Sequence, residues 1–140
     1  LAGQFGQTPQ TRVARGESAT LTVKMPERLR GGLMWPARIE VRARENLSAP
    51  TIVLGSGFIR GMQMNSIEPS PVSETTRPPM STDPAALAFT FPSMRAGDVL
   101  TVYLQLQVNP TTVGSQDMSV SVEGPGIDPV RSPESMQVLP

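Results

Sequence analysis

The sequence predicts an all-β protein, an antiparallel β-sandwich, and three observations carry that expectation. Apolar residues recur with period two along most of the chain. No window of about a dozen residues keeps a helical i, i+3, i+4 apolar stripe free of proline and glycine. The 15 prolines and 12 glycines fall mainly between the alternating runs. Side chains alternate across a strand, so each such run has one face for a core and one for water.

The elements follow in order. Residues 1–10 read as a lead-in, and residues 11–140 as one domain, a size that supports a real core. Thr11–Arg15 is a short strand candidate. Ala19, Leu21, Val23 and Met25 alternate with Thr20, Thr22 and Lys24. Gly31-Gly32 and then Trp35-Pro36 separate this strand from the next, where Ile39, Val41 and Ala43 alternate with Arg38, Glu40, Arg42 and Arg44. Thr51–Leu54 and Phe58–Met64 are further candidates. Pro69–Pro84 holds five prolines without alternation and is expected to be a long exposed loop. Leu87, Phe89 and Phe91 mark another strand. Ala96-Gly97-Asp98 then turns the chain into the longest run, Leu100 to Val108, which Asn109-Pro110 ends. Met118, Val120 and Val122 form one more set, and Ser135–Leu139 the last. About seven to nine strands so punctuated fit an immunoglobulin-like sandwich, although a closed barrel shares the pattern.

Composition excludes much chemistry. The chain contains no cysteine and no histidine, which removes disulfides, thiolate nucleophiles, imidazole bases and the usual zinc ligands. Twelve basic residues balance twelve acidic ones, so a general nucleic-acid binder is not expected. No run of about 18 apolar residues occurs, hence no membrane-spanning helix in this sequence. The first residue is Leu1, which leads us to expect a signal or anchor removed upstream.

Weighed residue by residue, catalysis and metal binding recede, and no cofactor is expected. Lys24 is the sole lysine and lies on the wet face of a regular strand, away from the desolvated site that Ser–Lys catalysis needs. Glu68, Asp83, Asp98, Asp117 and Asp128 fall near turns, where Asp commonly accepts backbone hydrogen bonds. The calcium-loop pattern is missing. Met62 and Met64 share a strand face that a soft ion would suit, but Met more often fills core gaps. Asn46-Leu47-Ser48 matches a glycosylation acceptor, relevant only to a eukaryotic source.

Charge is unevenly spread. Residues 1–64 carry nine basic and four acidic side chains, whereas residues 65–140 carry three and eight. Arg38, Arg42 and Arg44 share one strand face, with Arg28 and Arg30 in the loop before it. A basic face of this kind suits lipid headgroups or an acidic partner, unless folding brings the acidic half against it. Trp35 reads first as a core residue packed across the sandwich and second as an exposed anchor. Tyr103 falls on the polar face of its strand. Arg28, Arg30, Trp35, Arg38, Arg42, Arg44 and Tyr103 together form the candidate partner surface.

Two resemblances add to this reading. Arg44-Glu45-Asn46-Leu47-Ser48-Ala49-Pro50, followed later by Ala88 to Asp98, the long strand and Val113-Gly114, resembles bacterial extracytoplasmic immunoglobulin-like modules. Pro26 to Leu33, Asn65 to Pro71, Val108 to Thr111 and Val138-Leu139-Pro140 resemble the outward-facing β domain of small single-pass bacterial membrane proteins. These likenesses imply a non-enzymatic, extracytoplasmic accessory domain of a membrane-anchored protein, with a membrane or envelope protein as partner. The alternative is a carbohydrate-binding or structural module of a larger secreted protein.

Overall fold

Strands with one apolar face must bury it, and here two five-stranded sheets bury theirs against each other. The computed structural model describes residues 9–77 and 85–140. In chain order the elements are β1 (Pro9–Arg15), β2 (Ala19–Pro26), β3 (Arg28–Arg30), β4 (Met34–Ala43), β5 (Thr51–Leu54), the helical turn α1 (Gly57–Arg60) and β6 (Met62–Glu68). They continue with β7 (Ser73–Arg77), β8 (Ala86–Thr90), β9 (Val99–Val108), β10 (Gly114–Asp117), β11 (Val120–Glu123), β12 (Val130–Ser132) and β13 (Ser135–Leu139).

The first sheet has the order β1-β2-β4-β9-β6 and the second β12-β11-β5-β8-β7. Both are antiparallel throughout. A small third sheet, β10-β13-β3, contains the parallel pair β13–β3. The protein is therefore an antiparallel β-sandwich. Leu21, Ile39, Val41, Leu104 and Leu106 line the inner face of the first sheet, and Ile52, Leu54, Phe89, Val120 and Val122 that of the second. Leu29, Met136 and Val138 of the third sheet join the same core. Each fully buried large apolar side chain contributes about 1.5–3 kcal/mol from area removed from water. Along one side of the sandwich β12 packs beside β1 and β2. Along the other, β6 and β7 are the outer strands.

The structure corrects several expectations. More strands are present than alternation predicts, because β3, β7, β10 and β12 have only three to five residues, too short to show a period. Ser73–Arg77, within the expected loop 69–84, is β7, a wholly exposed polar strand held by its ladder to β8; residues 78–84 lie outside the described residues. The expected strand Phe58–Met64 is split, since Gly57–Arg60 makes a helical turn with Ile59 and Arg60 N–H donating to the Ser56 carbonyl. Trp35-Pro36 belongs to β4 and is not a connection. Proline is tolerated within this inner strand because the β2–β4 ladder stops at the Lys24–Arg38 pair. At Pro36 the side facing β2 thus has no bond to lose. The Ala96-Gly97-Asp98 turn forms as expected: Gly97 has φ +92°, and Asp98 N–H donates to the Arg95 carbonyl at 2.9 Å.

Candidate interaction surface

Alternation within β2, β4 and β9 sends Thr20, Thr22, Lys24, Arg38, Glu40, Arg42, Thr101 and Tyr103 to the outer face of the first sheet. Register decides which of them meet. One row across the sheet reads Thr11, Lys24, Arg38, Tyr103 and Glu68. The next reads Val13, Thr22, Glu40 and Thr101, and the third Arg15, Thr20, Arg42 and Val99. Adjacent strands lie about 4.8 Å apart, so these neighbours touch the same small patch.

Lys24 thus stands directly opposite Arg38. Like charges in directly opposed positions destabilise a sheet, and among the described residues neither forms a salt bridge. Arg42 has Thr20 and Val99 as cross-strand neighbours, again without an acid. Of the acidic half of the chain, Glu68 reaches the border of this face beside Tyr103, and Lys24, Arg38 and Arg42 have no acid directly opposite them. The ion pairs of the described residues lie elsewhere: Arg12 with Glu27 and Glu134, and Arg77 with Glu123. Glu40, between Arg38 and Arg42 on β4, is the acid nearest the centre of the face. Tyr103, 55% exposed, lies beside Arg38 and supplies a flat ring next to the cations.

The other residues of the sequence-based surface are dispersed. Arg28 and Arg30 flank the buried Leu29 on β3 and belong to the edge of the third sheet, because the chain leaves the first sheet after Pro26. Arg44 lies just past β4, where its Nη1 donates to the Gly16 carbonyl at 2.8 Å. Trp35 leaves the surface altogether: it is 2% exposed and packs in the core, and its Nε1–H has no hydrogen-bond partner among the described residues. Lys24 and Arg15 are the additions. Their outward parity is legible in sequence, but their adjacency to Arg38 and Arg42 needed the register.

Of the acids weighed for catalysis, Asp98 and Asp117 serve turns, Glu68 ends β6, and Asp83 lies outside the described residues. Asp98 Oδ2 accepts from Arg95 N–H at 2.9 Å, and Asp117 Oδ1 from Ser119 N–H at 3.1 Å. Among the described residues no three acidic side chains gather as a metal site would require. Met62 and Met64 pack in and against the core. Asn46 Oδ1 accepts from Ala96 N–H at 2.9 Å, tying the two loops beyond β4 and β8.

No protein-family model matches this sequence, and a comparison with curated proteins finds no match. Among solved structures, a cohesin module from a family 33 glycoside hydrolase of Clostridium perfringens is similar at TM-score 0.48 and 9% identity, with 89% of this chain and 98% of that chain covered. A family 123 glycoside hydrolase from Clostridium perfringens, studied for glycolipid glycan hydrolysis, is similar at TM-score 0.48 and 9% identity over 79% of this chain. The present chain spans 22% of that enzyme's length.

Proposed function

We propose that this β-sandwich is a non-enzymatic interaction module that docks an acidic protein partner on the outer face of its first sheet. The observation that carries this reading is the unpaired opposition of Lys24 and Arg38, extended by Arg42 and Arg15 and flanked by exposed Tyr103. A cost built into the isolated sheet is relieved when a carboxylate-rich surface covers it. Aromatic and arginine side chains are also the types that most often anchor protein interfaces. We further propose that the module is displayed outside the cytoplasm by a membrane-anchored bacterial protein, in line with the resemblance of its turn sequences to such modules. A sugar-binding platform is less well served. Among the described residues Tyr103 is the one exposed ring, while Trp35, Phe58, Phe89 and Phe91 are buried.

The test uses a fluorescein-labelled oligoglutamate peptide and, separately, vesicles of phosphatidylcholine with about 30% phosphatidylserine. The reading expects peptide binding that weakens with salt and falls at least tenfold in the Arg38→Glu/Arg42→Glu double variant. Binding that survives the double variant overturns it, and binding of vesicles in preference to peptide replaces the protein partner with a lipid surface. Fractionation of cells expressing the full-length gene tests the display.

A further inference from the structure

A sandwich has four sheet edges, and unpaired edges invite further pairing unless they are guarded. Three of the four are guarded here. On β1, Arg12 stands opposite the buried Val23 and so points inward from an edge; Pro9 begins the same strand. On β7, Glu74 stands opposite the buried Phe89 and also points inward. β12 has only three residues. Short strands, prolines and inward charges are the ordinary means of blocking an edge.

β6 lacks them. Its seven residues, Met62 to Glu68, contain no proline, no lysine and no inward charge. They pair with β9 on one side only. Among the described residues, no backbone group of Met62 to Glu68 bonds to anything on the other side. A register shift between Met64 and Ser66 is the one blunting device on this strand, and pairing with β9 is regular again from Ser66 to Glu68.

The ground beside this edge is hollow. A cavity of about 290 Å³ opens between β6 and the β7–β8 pair, lined by Met64, Ile67, Leu87 and Phe89 with Glu74 at its rim. Farther along the same side, a second cavity of about 370 Å³ is lined by Pro69, Phe91, Pro92, Met94 and Leu100, with Asp98 beside them. Both floors are mainly apolar, and the ionisable residues lining them are all acids. Glu68, at the end of β6, adds a further carboxylate on the outer face. Neither Glu68 nor Glu74 has an ion-pair partner among the described residues.

We propose that the free edge of β6 receives an extended peptide strand, with apolar side chains in the seam and basic ones on the outer face against Glu68. Main-chain pairing supplies the affinity and the alternate pockets the selectivity, as in strand addition generally. Charge complementarity selects the occupant: a strand of alternating apolar and basic residues meets the apolar seam with one face and the Glu68 carboxylate with the other. Glu68 ends the Lys24–Arg38–Tyr103 row, but the N-methylated peptides report on the β6 backbone edge and the Arg38→Glu/Arg42→Glu variant on the basic face, so either proposal can fail without the other.

The experiment uses a labelled peptide of about nine residues alternating valine and lysine, long enough to span β6, with a valine–glutamate peptide as control. Two further versions are N-methylated at alternate residues, one at the valines and one at the lysines. The proposal expects the valine–lysine peptide to bind and the control to bind at least tenfold more weakly. Glu68→Lys must weaken binding at least threefold, with the fold checked by circular dichroism. One N-methylation pattern must lose binding and the other keep it, since only one set of N–H groups faces β6. Absence of binding, equal binding of the control, or indifference to both methylation patterns overturns the proposal.

Discussion

The Asp128 N–H donates to Ser18 Oγ at 2.9 Å, joining residues 110 positions apart. Ser18 is 1% exposed and its hydroxyl in turn donates to Glu45 Oε1 at 2.6 Å. Its carbonyl accepts from Arg44 N–H at 2.9 Å. One small buried side chain thus ties the β1–β2 turn, the end of β4 and the loop before β12. Ser18→Ala leaves the Asp128 N–H without its partner, which costs about 1–3 kcal/mol. Urea denaturation checks this as a lowered midpoint with an unchanged slope.

The opposition of Lys24 and Arg38 yields a prediction of opposite sign. Lys24→Glu converts a repelling cross-strand pair into an attractive one. The expected gain is up to about 1 kcal/mol at low salt, shrinking as ionic strength rises. The same variant is expected to weaken binding of the oligoglutamate peptide. A gain in the denaturation midpoint together with a loss of binding would mark Lys24 as held for function at the expense of stability.

Trp35 combines full burial with an unpartnered Nε1–H. Trp35→Ala removes the largest side chain of β4 and is expected to cost about 3–5 kcal/mol. Trp35→Phe also removes the orphaned donor, so it is expected to cost distinctly less than the alanine variant. Thermal unfolding followed by circular dichroism compares the two, because the only tryptophan is lost in both.

Gly57 opens the helical turn against the chain at Asp117 and Met118. A Cβ there would lie 2.6 Å from the Asp117 carbonyl oxygen and 2.7 Å from Met118 Sδ. The backbone neighbour cannot swing away as a side chain end can. Gly57→Ala is therefore expected to destabilise by about 1–3 kcal/mol through overpacking, again read as a shift of the urea midpoint.

Much of the fold was legible in the sequence. Thr51–Leu54 and Ser135–Leu139 match β5 and β13 to the residue, and the inward sets of β2, β4 and β9 follow from period two. What escaped were strands whose stability is borrowed from a neighbour. β7 is polar on both faces and pairs through its backbone to β8, so no hydrophobic signal announces it. β3 alternates over only three residues, with Leu29 alone buried. At the candidate surface, Arg38, Arg42 and Tyr103 were legible as outward residues, and Arg28 and Arg30 were grouped with them only through nearness in sequence.

The sequence by itself determined which side of each long strand faces the core, because alternation is a local property of extended backbone. It also determined the chemistry that is missing, with neither cysteine nor histidine to work with. Tertiary structure alone decided what each outward side chain meets. Register set Lys24 against Arg38 instead of an acid, and strand order left β6 at a sheet edge beside an apolar seam. Both are consequences of pairing between distant segments. Charge repulsion and edge exposure depend on distances that no local pattern encodes.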